Sequence, residues 1–333
     1  MARHHETGTI ADAASLRVYW YKSWSAHLDR ALDTIPEDER CPHELFRRLM
    51  HSANGQKRAA LVTAHGDPVA VIGLRQRGWH YEPVGSDAVT PRFVAPARPG
   101  FLFPALRALG IDLWIRTQPT LPPPGTAQEI TPFPIYRMEC RADFERYWHE
   151  SGLWKNIKAF RKRSAGMTFV VDAPGGIRWT IERWRERWLD DSQRQVDSAG
   201  DQIIAGEYFQ ALGMYHSFLL LDGAAPVAGC NFYVDRHDLL FLTTTYLPEY
   251  AWHGVSTRLL DLIFGWAASS SYQRLDLGGG HEYKRRWAPL DGARWSYNIC
   301  PAPLAFAKRT RRRLVAAVRR MTVVRSRASV IAD

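Results

Sequence analysis

The sequence predicts an α/β protein built from two tandem modules, each a mixed, largely antiparallel sheet flanked by helices. Three observations lead there. The chain is 333 residues long, enough for two domains of ordinary size. The stretch LVTAHGDPVAVIGL at 61–74 parallels LLLDGAAPVAGCNFY at 219–233, a strand, a tight glycine turn and a Pro-Val-Ala strand in each case. Each hairpin is followed by a helix pattern and then a short strand, IDLWI after the first and RLDLG after the second.

Taken in order, residues 1–14 read as a disordered lead-in. From Ser15 to His51 the pattern is mostly helical, broken at Ile35-Pro36 and Cys41-Pro42. Ala59 to Arg75 is the first hairpin, and Trp79 to Val84 a third strand. Phe101 to Leu109 forms a helix that Gly110 stops, and IDLWIRT at 111–117 is a strand. PTLPPPGT at 119–126 is a rigid crossover or linker. These breaks predict an N-terminal module over 15–126, a C-terminal module over 127–303 and a basic tail over 304–333.

In the second half Asp143 to Ser164 is helical, with Lys155, Lys158 and Lys162 on one face. Arg178 to Asp191 is a helix with Ile177, Ile181, Trp184 and Trp188 along its seam. Asp190 to Gly206 reads as a polar, mobile stretch. Gly213 to Leu221, the Pro-Val-Ala strand and LLFLTTTY form a meander. Ser256 to Ser270 is a helix, and Arg274 to Leu277 a strand that opens QRLDLGGGHEYKRRWAPL at 273–290. That last stretch concentrates chemistry: three glycines that free the backbone, then His281, Glu282, Tyr283, Lys284, Arg285, Arg286 and Trp287.

Composition narrows the function. Hydrophobic residues make up 46% and charged residues 23%, a globular balance. Net charge is +10, but nine cations and one acid fall in the tail, which leaves about +2 for the rest. The high pI therefore belongs to the tail and not to a basic body. Cys41, Cys140, Cys230 and Cys300 are scattered, with no C-x-x-C pair, which fits a reducing compartment. The N-terminus lacks a signal-peptide pattern, and the best apolar run, Leu259 to Ala268, is too short to span a bilayer. The expectation is a cytoplasmic protein, peripheral to the inner face of the membrane if the tail binds lipid. No H-x-x-x-H or H-E-x-x-H occurs, so no metal is expected. The absence of G-x-S-x-G argues against an α/β-hydrolase.

The order of elements resembles the GNAT acyltransferase fold. Residues 140–300 are similar to the acetyltransferase domain of CelD-type (cellulose-biosynthesis-associated) proteins and of the FemAB-like double-GNAT group. The likeness is carried by the basic helix KNIKAFRKR at 155–163, by GVSTRLLDLIFGWA at 254–267, and by the D-x-x-G-G-x-E-Y-K-x-x-W pattern from Asp276 to Trp287. The resemblance implies acyl-CoA, such as acetyl-CoA, as co-substrate. Its pyrophosphate would lie at a helix N-terminus, where unpaired N–H groups and the helix dipole favour an anion. Gly254, Val255, Ser256, Thr257 and Arg258 occupy that position; Ser256 replaces the family's second glycine and can serve as an N-cap.

Amide formation from a thioester needs a base for the amine, donors for the oxyanion and an acid for the leaving thiolate. Glu282 and His281 are candidate bases, Tyr283 a candidate acid, and Asp276 a base or support; His216 and Glu207 are weaker candidates. Lys284, Trp287, Lys158 and Lys162 are candidate substrate-binding residues, Lys284 for an anionic group. The first reading is an acyl-CoA-dependent N-acyltransferase acting on an amine of a sugar, envelope precursor or small metabolite. As the alternative, the FemAB-like resemblance admits an aminoacyl-tRNA-dependent amide-forming transferase. From a different class comes a non-catalytic binding or scaffold protein of a polysaccharide or secondary-metabolite system. The tail over 304–333 suits an anionic membrane surface, tRNA or solvent, and the sequence leaves the oligomeric state open.

Overall fold

The computed structural model describes residues 15–310, apart from 40, 53–55, 86–93, 119, 142, 190–197, 280–281, 302 and 308–309. The expected lead-in and the tail beyond Thr310 therefore lie outside the described residues.

One plan is used twice. In the first half β1 (Leu16–Tyr21) leads through α1 (Ala26–Asp33) and α2 (His43–His51) to β2 (Lys57–Ala64), β3 (Asp67–Arg77) and β4 (His80–Pro83). Helix α3 (Leu102–Ala108) then crosses to β5 (Leu113–Gln118). A connecting segment follows, with β6 (Glu129–Glu139), α4 (Glu145–Glu150) and α5 (Trp154–Arg163). The second half repeats the plan. β7 (Thr168–Val171), α6 (Gly176–Trp188) and α7 (Ala199–Ala211) precede β8 (Tyr215–Asp222), β9 (Ala225–Asp235) and β10 (Asp238–Tyr246). Helix α8 (Val255–Ala268) crosses to β11 (Arg274–Asp276), and β12 (Leu290–Ile299) is the last described strand.

In each half four antiparallel strands are followed by a helix and a fifth strand that lies parallel to the fourth, β4 beside β5 and β10 beside β11. The halves then exchange their last strands. β6 leaves the first half and pairs with β11, while β12 leaves the second and pairs with β5. β6 and β12 also pair with each other, so the described strands form one sheet in the order β1-β2-β3-β4-β5-β12-β6-β11-β10-β9-β8-β7.

Three cores follow from this layout. One holds α3 against the first half and takes in Tyr297 and Ile299 of β12. Another holds α8, α4 and α5 against the second half, with Trp148, Phe264 and Trp287 at its centre. The third is shared: Leu45, Phe46 and Leu49 of α2 pack with Ile177 and Ile181 of α6 and Ile203 and Phe209 of α7. Within the shared contact Asp201 is fully buried, and it accepts from Lys57 Nζ at 3.0 Å, Ser52 Oγ at 2.7 Å and Arg75 Nη2. A buried carboxylate needs such partners to remain charged.

Four sequence expectations are corrected. The mostly helical stretch from Ser15 begins with a strand: LRVYWY pairs antiparallel with β2 from Leu16↔Ala64 to Tyr21↔Ala59. Its β-branched and aromatic residues favour that pairing. The polar stretch 190–206 ends in α7, whose Asp201 looks like a surface residue in sequence and becomes an interior anchor. β7 and β12 were not expected; each is completed only by distant partners. β6 was unexpected too, because EITPFPIYRME carries Pro132 and Pro134. Those prolines fall where β6 has a partner on one side only, β12, since β11 pairs only with Arg137, Met138 and Glu139.

Candidate active site

The site is made by a divergence of strands in the second half of the sheet. β10 and β11 run parallel in register at Asp238↔Arg274, Leu239↔Leu275 and Leu240↔Asp276, and no further. Beyond Asp276 the chain leans toward β6: Leu277 N–H donates to Tyr136 O at 2.9 Å, and Tyr136 N–H to Gly278 O at 3.3 Å. Gly279 lies so close to β6 that a Cβ there would stand 2.4 Å from Pro134 O. β10 meanwhile has a bulge between Phe241 and Thr243 and continues to Tyr246 bonded to β9. Its other edge, from Phe241 onward, has no strand partner among the described residues. A wedge opens between the two chains, with peptide groups of β10 along one wall. Alternation places the nitrogens of Pro132 and Pro134 on the same edge of β6 as Tyr136, so that edge offers no donor where β11 has ended.

Asp276 is 1% exposed and sits at the foot of the wedge. It accepts from Arg137 Nε at 2.9 Å, Arg294 Nη2 at 2.8 Å and Gly278 N–H at 2.7 Å. These bonds tie β11 to β6 and β12, and they engage the carboxylate in support of the loop. Lys284 is 6% exposed and points inward. Its Nζ donates to Leu277 O at 2.6 Å and Gly279 O at 3.1 Å and lies 4.8 Å from the Phe241 ring centroid. The structure thus gives Lys284 a stapling role in place of the expected open anion contact. Burial pushes its ammonium down to about 8, with Arg294 adding and Asp276 opposing.

Tyr283 is 47% exposed and lines the pocket beside Tyr147. Burial, with a smaller effect from Cys230, raises its phenol, so it holds its proton at neutral pH. The Cys230 thiol beneath is raised by burial as well and stays neutral. Glu282 is in solvent, its side chain 87% exposed and 3.7 Å from Arg285 Nη1. His281 lies outside the described residues. Trp287 is 4% exposed and packs against Trp148 and Phe264, so its ring belongs to the core and not to a ligand contact.

Helix α4 backs the 282–286 turn through three carbonyls in succession. Tyr147 OH donates to Arg285 O at 2.6 Å, Ser151 Oγ to Arg286 O at 2.7 Å, and Trp148 Nε1 to Trp287 O at 3.1 Å. An open pocket of about 680 Å³ lies there, lined by Tyr147, Glu150, Ser151, Tyr283, Arg285 and Arg286, with Glu282 at its rim. Tyr147 was not foreseen; nothing in its local sequence marks it apart from other helical tyrosines.

At the start of α8, Gly254 has φ +65° and the ring of Phe160 rests on it, 2.2 Å from where a Cβ would be. Gly254, and not Ser256, is the N-cap, and no side chain caps the helix. Val255, Ser256 and Thr257 follow, and Arg258 N–H is the first to bond back, to Gly254 O at 2.9 Å. The first-turn amides are therefore available to an anion. The Arg258 side chain is committed to Asp261, which Arg161 also grips at 2.9 and 2.6 Å. Lys158 and Lys162 are exposed on α5. His216 lies two strands from β10, bonded to Asp172 at 2.7 Å and Tyr272 at 2.6 Å, and Glu207 meets Arg178 at the surface. Among the described residues no group of side chains is arranged to hold a metal ion, and no helix is long and apolar enough to cross a membrane.

The wedge, the open strand edge and the uncapped α8 lie together in the second half. Residues 150–285 match the family model described as acetyltransferase (GNAT) domain, which supports an N-acyltransferase. Among solved structures the chain is similar to L-PGS from Bacillus licheniformis, at 12% identity over 87% of this chain and 97% of that one, TM-score 0.46. It is also similar to a tandem GNAT protein from the clavulanic acid biosynthesis pathway, at 12% identity over 86% and 99%, TM-score 0.43. FemX is similar at 11% identity over 86% and 98%, TM-score 0.43. No curated protein matches the sequence.

Proposed function

We propose that the protein is an acyl-CoA-dependent N-acyltransferase whose acceptor is an amine on a sugar, envelope precursor or small metabolite. The observation that carries this reading is the unpaired edge of β10 beside the free first turn of α8. An extended thioester donor can bond to that edge while its pyrophosphate meets the helix N-terminus. The thioester carbonyl then lies against backbone N–H groups that can hold the developing oxyanion. The amine attacks this carbon, the C–S bond breaks, and the thiolate takes a proton from Tyr283, which remains protonated at neutral pH. Glu282, which lines the Tyr147 pocket, accepts the proton released by the amine in this reading, directly or through water. The CelD-type likeness of Asp276–Trp287 supports a sugar or envelope acceptor.

Thiol release from acetyl-CoA, followed with a panel of amino sugars and small amines, tests the reading. Tyr283→Phe is expected to lower kcat about 10²-fold with little change in KM. Wild-type kcat in the phenylalanine variant removes Tyr283 from the mechanism. Failure to bind CoA, combined with transfer from aminoacyl-tRNA, replaces this donor with the other.

A further inference from the structure

Beside the α8 N-terminus stands an exposed aromatic surface that the site as described does not use. Trp252 closes the short 3-10 turn Pro248–His253 and is 69% exposed. The Arg163 guanidinium lies 4.0 Å from its ring centroid, and the same arginine donates from Nη1 to Trp252 O at 3.1 Å. One part of the indole is thus covered by a cation fixed at the end of α5, and the rest faces solvent. The turn carrying it is pinned. Tyr250 OH donates to Asp222 Oδ2 at 2.9 Å, Gly254 N–H to Ala251 O at 3.0 Å, and Phe160 packs on Gly254. A rigid exposed indole loses little freedom when something stacks on it.

The helix that ends in Arg163 is basic. Lys155, Lys158 and Lys162 are exposed on α5, and none has an ion-pair partner among the described residues. A flat aromatic with a cation behind it, next to a helix that carries unpaired lysines, complements a purine base attached to phosphates. We propose that Trp252, backed by Arg163, is the stacking platform for the adenine of an adenosine-phosphate donor, with the α5 lysines facing its phosphates. The inference rests on the transferase reading above and adds the donor's nucleotide subsite to it. Two donors carry the same chemistry: CoA, and the 3′-terminal adenosine of an aminoacyl-tRNA.

Titration calorimetry on the full chain tests this with three ligands: CoA, 4′-phosphopantetheine, which lacks the adenosine, and an RNA minihelix ending in an aminoacylated adenosine. Trp252→Ala is expected to weaken CoA or the minihelix about tenfold. It leaves phosphopantetheine unchanged, and Trp252→Phe restores most of the loss. Which ligand responds tells the two donors apart. Unchanged binding of both adenosine ligands to Trp252→Ala overturns the platform alone. So does an equal loss for phosphopantetheine, and so does wild-type protein that binds CoA no better than phosphopantetheine. Wild-type protein that binds none of the three overturns the transferase reading and the platform together. Melting temperatures of the unliganded variants confirm that each is folded.

Discussion

Lys284 shows how much of this site depends on single side chains. A buried lysine is costly when charged, yet this one has two carbonyl acceptors, Leu277 O and Gly279 O. Its neutral form still has two N–H donors, so either form can hold the loop. Its pKa of about 8 in the folded chain is below the ~10.4 of an unfolded lysine. Between these values the unfolded chain carries a proton that the folded one has released, so stability rises with pH through that window. Urea melts from about pH 8 to pH 10.4 should show this rise, at most ~3 kcal/mol, in the wild type. The Lys284→Met variant should lack it, and parallel curves for the two proteins would remove Lys284 as the source. Asp276 is the matching anion at the foot of the same loop, held between Arg137 and Arg294.

Among the elements, α8 and its entry turn are the most constrained. Gly254 must adopt a left-handed φ, and Phe160 occupies the space of a side chain. Gly254→Ala therefore meets backbone strain and a steric clash together, a cost of about 2–4 kcal/mol. Chemical denaturation is expected to show that loss, and Phe160→Ala in the same chain should relieve the steric part. If the double variant is no better than the sum of the two single ones, Phe160 is not the obstacle. Helix α5 reaches α8 through Arg161, whose guanidinium bonds to both oxygens of the buried Asp261. The basic helix that stood out in the sequence is thus half structural: Arg161 joins two helices, while Lys158 and Lys162 remain in solvent.

On the scale of the whole molecule, the exchange of β6 and β12 makes the halves interdependent. Without β12, β5 has an open edge and the first core loses Tyr297 and Ile299. The shared core and the Asp201 cluster add a second contact between the halves. An isolated 15–126 fragment is therefore expected to show no cooperative unfolding transition by circular dichroism, whereas the full chain melts in one. Independent folding of that fragment would show that the exchanged strand is dispensable.

The sequence by itself determined the two-module α/β plan, because paired hairpins with the same turn and the same following helix and strand are local patterns. It also singled out Asp276–Trp287 and the Gly254–Arg258 stretch, where glycines and clustered polar residues have few other uses, although it began the helix at Ser256 and the structure begins it after Gly254. Tertiary structure decided the rest. β6, β7 and β12 carry weak local signals and exist through pairing with distant strands. Asp276 and Lys284 read as open-site residues, but their partners come from β6, β12 and the glycine loop, which only the fold brings together. The wedge itself is an absence of pairing between β10 and the chain after Asp276, set by where β6 draws that chain away. Periodicity records which face of a strand is buried. It does not record where two neighbouring strands part.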